Sequence, residues 1–377
     1  MKKLISISST IAMVALLAGP MVTLGGVGPS PTPTPTIGIS TGLTQDTTGG
    51  ANPIVKAKWE MNVDKGTDGK YLGTDDSCRA GAQFMPSGQY QVSKRITLCS
   101  IVTDPDGLAD IKNVYSDVFY PEGIALGDSH VSLPNQSGDG CGELMQEDEA
   151  TVLSKADGIE LFCNKIQQNN NDLPTFNTGY NYDEICKLDG ELQKETAAVY
   201  CVEKDLSYED PAGDYEVWAV AQDKVGLQGT LKNFFTYRPL TAFEADFTNI
   251  NYGNVRLNTH KIINGDLTWG PSLASVRNIG NTRVQISVNQ NDMGFGQTGS
   301  AWNVKYDARV GSGANWAVYD PNVTTALDDP LDLSELDEMD FSIDVAKFPP
   351  THTGPYTGAM TLSGGMVDQL VCDGPQG

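Results

Sequence analysis

The chain has 377 residues and a formal net charge of −23, from 25 Lys and Arg against 48 Asp and Glu. So acidic a surface repels nucleic-acid phosphates and anionic lipid, which excludes nucleic acid as a partner and confines any membrane contact to the N-terminal segment, if that is left uncleaved. Forty Gly and twenty Pro punctuate the chain, and beyond its first fifty residues it is long enough for two ordinary domains.

The N-terminus carries a short basic stretch, Met1-Lys2-Lys3, then an apolar run from Leu4 to Leu17 and small residues at Ala18, Gly19, Gly25 and Gly26. That order predicts a secretory signal over residues 1–26. No charged residue stands between Lys3 and Asp46, so an uncleaved membrane anchor is the alternative. Residues 27–51 form a Pro/Thr/Gly-rich linker. Its alternating prolines, Pro29 to Thr36, favour an extended polyproline II spacer.

From residue 52 the apolar segments are short and rich in Val, Ile, Tyr, Phe and Thr. Several alternate with a period of two: Tyr215-Glu-Val217-Trp-Ala219, Val284-Gln-Ile286-Ser-Val288 and Phe341-Ser-Ile343-Asp-Val345. Such alternation marks half-buried strands and predicts a mainly β fold built of sandwiches. A first domain over 52–238 takes strands at 53–61, 95–102, 111–120, 213–226 and 234–237. Within it, about 141–194, the pattern turns helical. Ser154, with Asp157 three residues on, caps a helix that places Ile159, Phe162, Cys163 and Ile166 on one face. A second helix over 183–194 aligns Ile185, Leu188 and Leu192.

Six of the seven cysteines lie between Cys78 and Cys201, which points to an oxidising, extracellular setting. Antiparallel helices would bring Cys163 level with Cys186, as a disulfide requires. Cys78, Cys99, Cys141 and Cys201 then allow three pairings, of which Cys78–Cys99 with Cys141–Cys201 is favoured. Cys372 is left over, as a free thiol or an inter-chain link. No two cysteines are close enough for a zinc pair, and His130, His260 and His352 have no ligand spacing. A second domain over 239–365 takes strands at 243–247, 253–257, 274–281, 283–288, 302–306 and 356–362. A tail, 366–377, follows. Gly280, in the turn after Asn278, is expected at positive φ.

The strand that ends in Asp223-Lys-Val-Gly226 before a last strand resembles the immunoglobulin-like domains of prokaryotic surface proteins. The stretch Val276-Arg-Asn-Ile-Gly-Asn-Thr-Arg-Val-Gln-Ile-Ser-Val288 resembles the strand–Asn-Gly-Asn–strand hairpins of archaeal and candidate-phylum bacterial surface domains. The resemblance implies two tandem immunoglobulin-like sandwiches, the first with an inserted disulfide-stapled helical hairpin, in a cell-surface setting. It implies no activity.

Catalytic apparatus is not visible. Gly294-Phe-Gly296-Gln-Thr-Gly299 matches a dinucleotide fingerprint, but a strand pattern follows where a helix is needed, so it reads as a glycine-rich hairpin loop and no cofactor is expected. With three histidines and no Ser or Cys constellation the chain reads as non-enzymatic. Asp104, Asp106 and Asp110 resemble an acidic calcium loop, against the plain reading of an Asp-Gly turn. The run Asp328 to Asp340 reads as a solvated face. Asn135 and Asn322 are glycosylation acceptors. Two readings of function follow: an exported cell-surface structural protein (surface-layer, envelope or filament component) able to self-associate, and an adhesin or module binding protein or glycan. The second would use the insert, the 121–145 loop and the rings of Phe176, Tyr180 and Tyr182.

Overall fold

The computed structural model describes residues 50–76, 82–130, 136, 138–169, 173–270, 273–350 and 354–372. The signal, most of the linker, Cys78, Asn135 and His352 lie outside the described residues.

Ten strands occupy the first half: β1 (Ile54–Asn62), β2 (Gln83–Phe84), β3 (Lys94–Thr103), β4 (Ile111–Phe119), β5 (Leu144–Glu149), β6 (Thr151–Val152), β7 (Thr175–Phe176), β8 (Ala197–Leu206), β9 (Gly213–Asp223) and β10 (Gln228–Tyr237). They form two sheets, β6-β8-β3-β1-β7 and β2-β10-β9-β4-β5. Read as D-E-B-A and G-F-C-C′, this is the strand order of an immunoglobulin sandwich. The period of two in β9 buries Tyr215, Val217, Ala219 and Ala221, none more than 1 % exposed. The Tyr215 hydroxyl donates to the Pro211 carbonyl at 2.8 Å, the corner by which such sandwiches pin the start of strand F.

β1 is covered on both faces. Trp59 packs its ring 5.0 Å from Phe162 of the insert, while Lys58 and Glu60 turn to the other side. The insert is narrower than expected, because 144–152 belongs to β5 and β6, which pair with β4 and β8. Its first helix starts at α1 (Lys155–Ile159), capped by Ser154 Oγ accepting from the Asp157 amide at 3.2 Å, then widens into a π-helical stretch, Glu160–Ile166, before α2 (Gln167–Asn169). The second expected helix is broken into α3 (Tyr182–Cys186) and α4 (Glu191–Lys194). Leu188 sits in the break, 97 % exposed, so it does not join Ile185 and Leu192 in the core.

Cys163 and Cys186 are joined, with Cα atoms 5.5 Å apart. The other expected pairings give way. Cys99 bonds Cys201, directly opposite it across β3 and β8, so neither Cys78–Cys99 nor Cys141–Cys201 forms. Cys141 bonds Cys372, which is therefore neither a free thiol nor an inter-chain link. The reason is the path of the C-terminal tail. It returns to the 123–125 loop, where the Ala125 amide donates to the Leu370 carbonyl at 2.9 Å and the Cys372 amide to Gly123 at 3.1 Å.

The second half holds β11 (Phe243–Ala245), β12 (Lys261–Ile263), β13 (Ser275–Asn278), β14 (Val284–Gln290), β15 (Gln297–Thr298), β16 (Ala301–Trp302), β17 (Val304–Val310), β18 (Ala317–Tyr319), β19 (Thr325–Ala326), β20 (Leu336–Val345) and β21 (Met360–Met366). The sheet β11-β13-β20-β17-β18 faces β19-β14-β21, and Val276, Ile286, Val288, Tyr306, Phe341 and Ile343 fill the space between them. The glycine-rich 294–299 stretch leads into the small β15–β16 hairpin. The expected strand at 253–257 is reduced to one bridge, Leu257 to Val345. The last strand begins at Met360 rather than residue 356.

The 278–282 segment is not a hairpin turn. β13 and β14 belong to different sheets, and the segment between them passes against the first sandwich. Asn278, Asn281 and Thr282 are fully buried. Asn281 Oδ1 accepts the Leu240 amide at 2.7 Å, its Nδ2 donates to the Arg238 carbonyl at 3.0 Å, and its own carbonyl accepts the Ala212 amide at 3.0 Å. Gly280 does not have the expected positive φ. It is required by close approach instead, since a Cβ there would lie 2.1 Å from the Leu240 carbonyl oxygen. Arg277 completes the joint, its guanidinium 3.7 Å from the ring centres of both Tyr90 and Trp269.

Candidate metal centre

β3 ends at Thr103 and β4 begins at Ile111; the connection is an Asp-Pro-Asp-Gly turn followed by a 3-10 turn, Leu108–Asp110. The Asp106 amide donates to Asp104 Oδ1 at 2.8 Å and the Gly107 amide to the Asp104 carbonyl at 2.9 Å. The turn thereby folds back on itself and brings the carboxylates of Asp104, Asp106 and Asp110 together. One oxygen from each lies within 4.8 Å of the others.

A plain turn accounts for Asp104 Oδ1 but not for its second oxygen. Asp104 is 4 % exposed, and its Oδ2 is buried with no hydrogen-bond partner. A fourth carboxylate stands nearby, outside that group of three: β9 pairs with β4 so that Asp223 lies opposite Ile111. Asp223 is fully buried. Its Oδ1 accepts the amides of Val225 at 2.9 Å and Leu227 at 2.8 Å, and its Oδ2 is left without a partner. A Cβ on Gly50 would lie 2.7 Å from Asp106 Oδ2 and 3.7 Å from Asp223 Oδ2, so both oxygens border one small space. Burial, then the charges of Asp106, Asp110 and Asp223, push the Asp104 carboxyl above its ordinary range. Orphaned buried carboxylate oxygens are costly unless something positive meets them. The three clustered carboxylates, with Asp223 beside them at the end of β9, suit a hard divalent cation that takes oxygen ligands in flexible geometry. Asp223 was missed because it stands 113 residues along the chain from Asp110; its one sequence signal is the Asp-Lys-Val-Gly end of a strand.

The remaining candidates fare differently. Asn322 is exposed in a turn at φ 64°. The rings of Phe176 and Tyr182 pack against each other at 5.0 Å and against Phe162, and Tyr180 lies under the Lys56 ammonium, so these half-buried rings are partly taken up by contacts within the chain. His260 Nδ1 lies 3.4 Å from Ser342 Oγ and 3.2 Å from Asp307. That is no relay, since Ser342 is buried within β20 and one ring nitrogen faces both groups, whereas a triad divides them between two.

The 328–340 run is not a solvated face throughout. Asp332 accepts from Arg283 Nε at 2.6 Å, and Asp340, 2 % exposed, accepts from Arg309 Nε at 2.9 Å and the Gly265 amide at 2.8 Å. Burial, then Asp332, Asp337 and Asp329, push the Glu335 carboxyl up to about 7. Burial beside Glu147 and Asp148 pushes Asp117 up to about 6. A carboxyl whose folded pKa is raised binds its proton more tightly when folded. Its contribution to stability is therefore complete below the unfolded value of about 4 and is lost as pH rises through about 6 and 7. In chelator the thermal midpoint is expected to fall across that window, and the double variant Asp117→Asn, Glu335→Gln is expected to flatten the fall. An unchanged slope in the variant would refute the assignment.

No protein-family model matches the chain, and no curated protein sequence matches it. Among solved structures it is similar to the chaperone–tip adhesion subunit pre-assembly complex of archaic chaperone-usher pili of Acinetobacter baumannii, at 12 % identity and TM-score 0.23, covering 76 % of this chain and 99 % of that one. It is also similar to a secreted serine protease of Vibrio cholerae, at 9 % identity and TM-score 0.17, covering 76 % of this chain and 49 % of that one. A third similarity is to a carbohydrate-binding module of the β-sandwich superfamily, at 8 % identity and TM-score 0.18, covering 75 % and 94 %. At these scores no function transfers.

Proposed function

We propose that the chain is an exported cell-surface structural protein, a component of an envelope layer or filament, with calcium held by Asp104, Asp106, Asp110 and Asp223. The observation that carries the reading is the union of its two halves. The Asn281 joint fills the contact between the sandwiches with satisfied hydrogen bonds, and the Cys141–Cys372 disulfide ties the C-terminal tail back onto the first sandwich. Ordinary tandem domains keep more polar, mobile interfaces, whereas a load-bearing spacer needs its modules held in one orientation. Disulfides support an oxidising, extracellular location, and among the described residues no helix is long and apolar enough to cross a membrane. β21 ends its sheet with most of its residues exposed, an edge on which another copy would add a strand. This role is non-enzymatic.

The purified chain, with residues 1–26 removed, is to be compared in calcium and in chelator by sedimentation and electron microscopy. Calcium is expected to stabilise it by about 3 kcal/mol at a concentration roughly a hundredfold above Kd and to yield sheets or filaments. Asp223→Asn is expected to abolish both responses. A chain that stays monomeric at every calcium concentration and binds a glycan would overturn the structural reading in favour of the adhesin. One observation favours that second reading: a cleft of about 890 Å³ in the second sandwich, bordered by Asn251, Tyr252, Phe295, Phe348 and Tyr356. Phe295 and Tyr356 stack there at 4.2 Å.

A further inference from the structure

Lys58 and Glu60 stand two residues apart on β1, with side chains only 2 % and 1 % exposed. Facing them from the opposite sheet is Asn233 of β10, 175 positions from Lys58. The Lys58 ammonium touches both Asn233 Oδ1 and Glu60 Oε1. The other Glu60 oxygen accepts from Asn233 Nδ2 at 2.9 Å. One buried carboxylate thus bridges a buried amine and the nitrogen of a half-buried carboxamide, between the first and last strands of the sandwich.

A buried ion pair is poor evidence for stability, since apolar side chains of the same volume often do as well. The three groups do, however, match the needs of a reaction. From Lys58, Glu60 and Asn233 we infer an intramolecular isopeptide bond, formed by the chain itself, between Lys58 Nζ and Asn233 Cγ.

The step balances without any other reactant. Glu60 takes a proton from the Lys58 ammonium, and the neutral amine attacks Asn233 Cγ. The Cγ–Nδ2 bond breaks as Glu60 returns protons to Nδ2, and the nitrogen leaves as ammonium. An amine and a primary amide have become a secondary amide, and Glu60 is again a carboxylate. Burial lowers the Lys58 pKa, which favours the nucleophilic form. Fixed contact replaces a bimolecular encounter with an intramolecular one, where effective concentrations are very high. Glu60 serves as general base and then general acid, and because it touches the reacting atoms it is a catalytic residue. The product would join the two sheets covalently, which no disulfide does among the described residues.

A second set, Lys204 with Gln146 and Asp148, has a similar make-up. Lys204 Nζ lies 2.5 Å from Gln146 Oε1, but Asp148 is 3.5 Å from the amine on the more open β5. It is the internal control. The test is the intact mass and a reduced, digested peptide map of the purified wild-type chain. The expected result is a mass short by one ammonia beyond the disulfide hydrogens, and one branched peptide containing both Lys58 and Asn233 that survives reduction. Glu60→Gln and Asn233→Ala, each checked for native circular dichroism, are expected to restore the full mass and lose the branched peptide. A folded wild-type chain of full mass overturns the inference. So does an ammonia loss that maps to a single peptide, or one that joins Lys204 to Gln146.

Discussion

Replacing Cys99 and Cys201 together with alanine is expected to lower the free energy of unfolding by about 4 to 5 kcal/mol. The bond closes a loop of 102 residues, and restricting so long a loop in the unfolded chain gives a stabilisation of that size in the chain-entropy account. The native side adds to the effect. Both residues are buried, at 2 % and 3 % exposure, beside Trp59, which pairs with Cys99 across β1 and β3. Denaturant titration of the double variant measures the loss, and a change under about 1 kcal/mol would sink the account. Cys141, by contrast, is exposed. Mild reductant is therefore expected to free the C-terminal tail while leaving Cys99–Cys201 intact.

Asn281→Ala is expected to cost about 2 to 5 kcal/mol and to uncouple the two sandwiches. Truncation leaves the half-buried Leu240 amide and Arg238 carbonyl without their partners, each a penalty of about 1 to 3 kcal/mol. Both groups lie in the connection between β10 and β11, so the damage falls on the joint and not on either core. Calorimetry of the wild-type chain should give one cooperative transition, and the variant two. A variant that still melts in one step near the wild-type midpoint would show that the joint does not couple the halves.

Local pattern was informative where one element alone settled the outcome. The alternation in Tyr215 to Ala221 and Val284 to Val288 marks strands because a half-buried strand admits little else. The Ser154 cap marks a helix start because its hydroxyl reaches an amide three residues on. The Asp104–Asp110 turn was legible as an acidic loop for the same reason. Leu188 was misplaced because a helical period cannot see that the backbone turns extended at Lys187, with ψ 166°, and again at Gly190, with ψ 172°.

An acidic, mainly β chain, a capped helical insert and three carboxylates in one turn can all be read along the chain. All of these rest on contacts between residues close in the chain. Contacts distant in the chain are what join Cys99 to Cys201, return Cys372 to Cys141, bring Asp223 beside the acidic turn and set Asn233 against Lys58 and Glu60. Those partners stand roughly one hundred or more positions apart. Sheet pairing and the packing of one sheet on another bring them together, and neither leaves a mark in the spacing of residues along the chain.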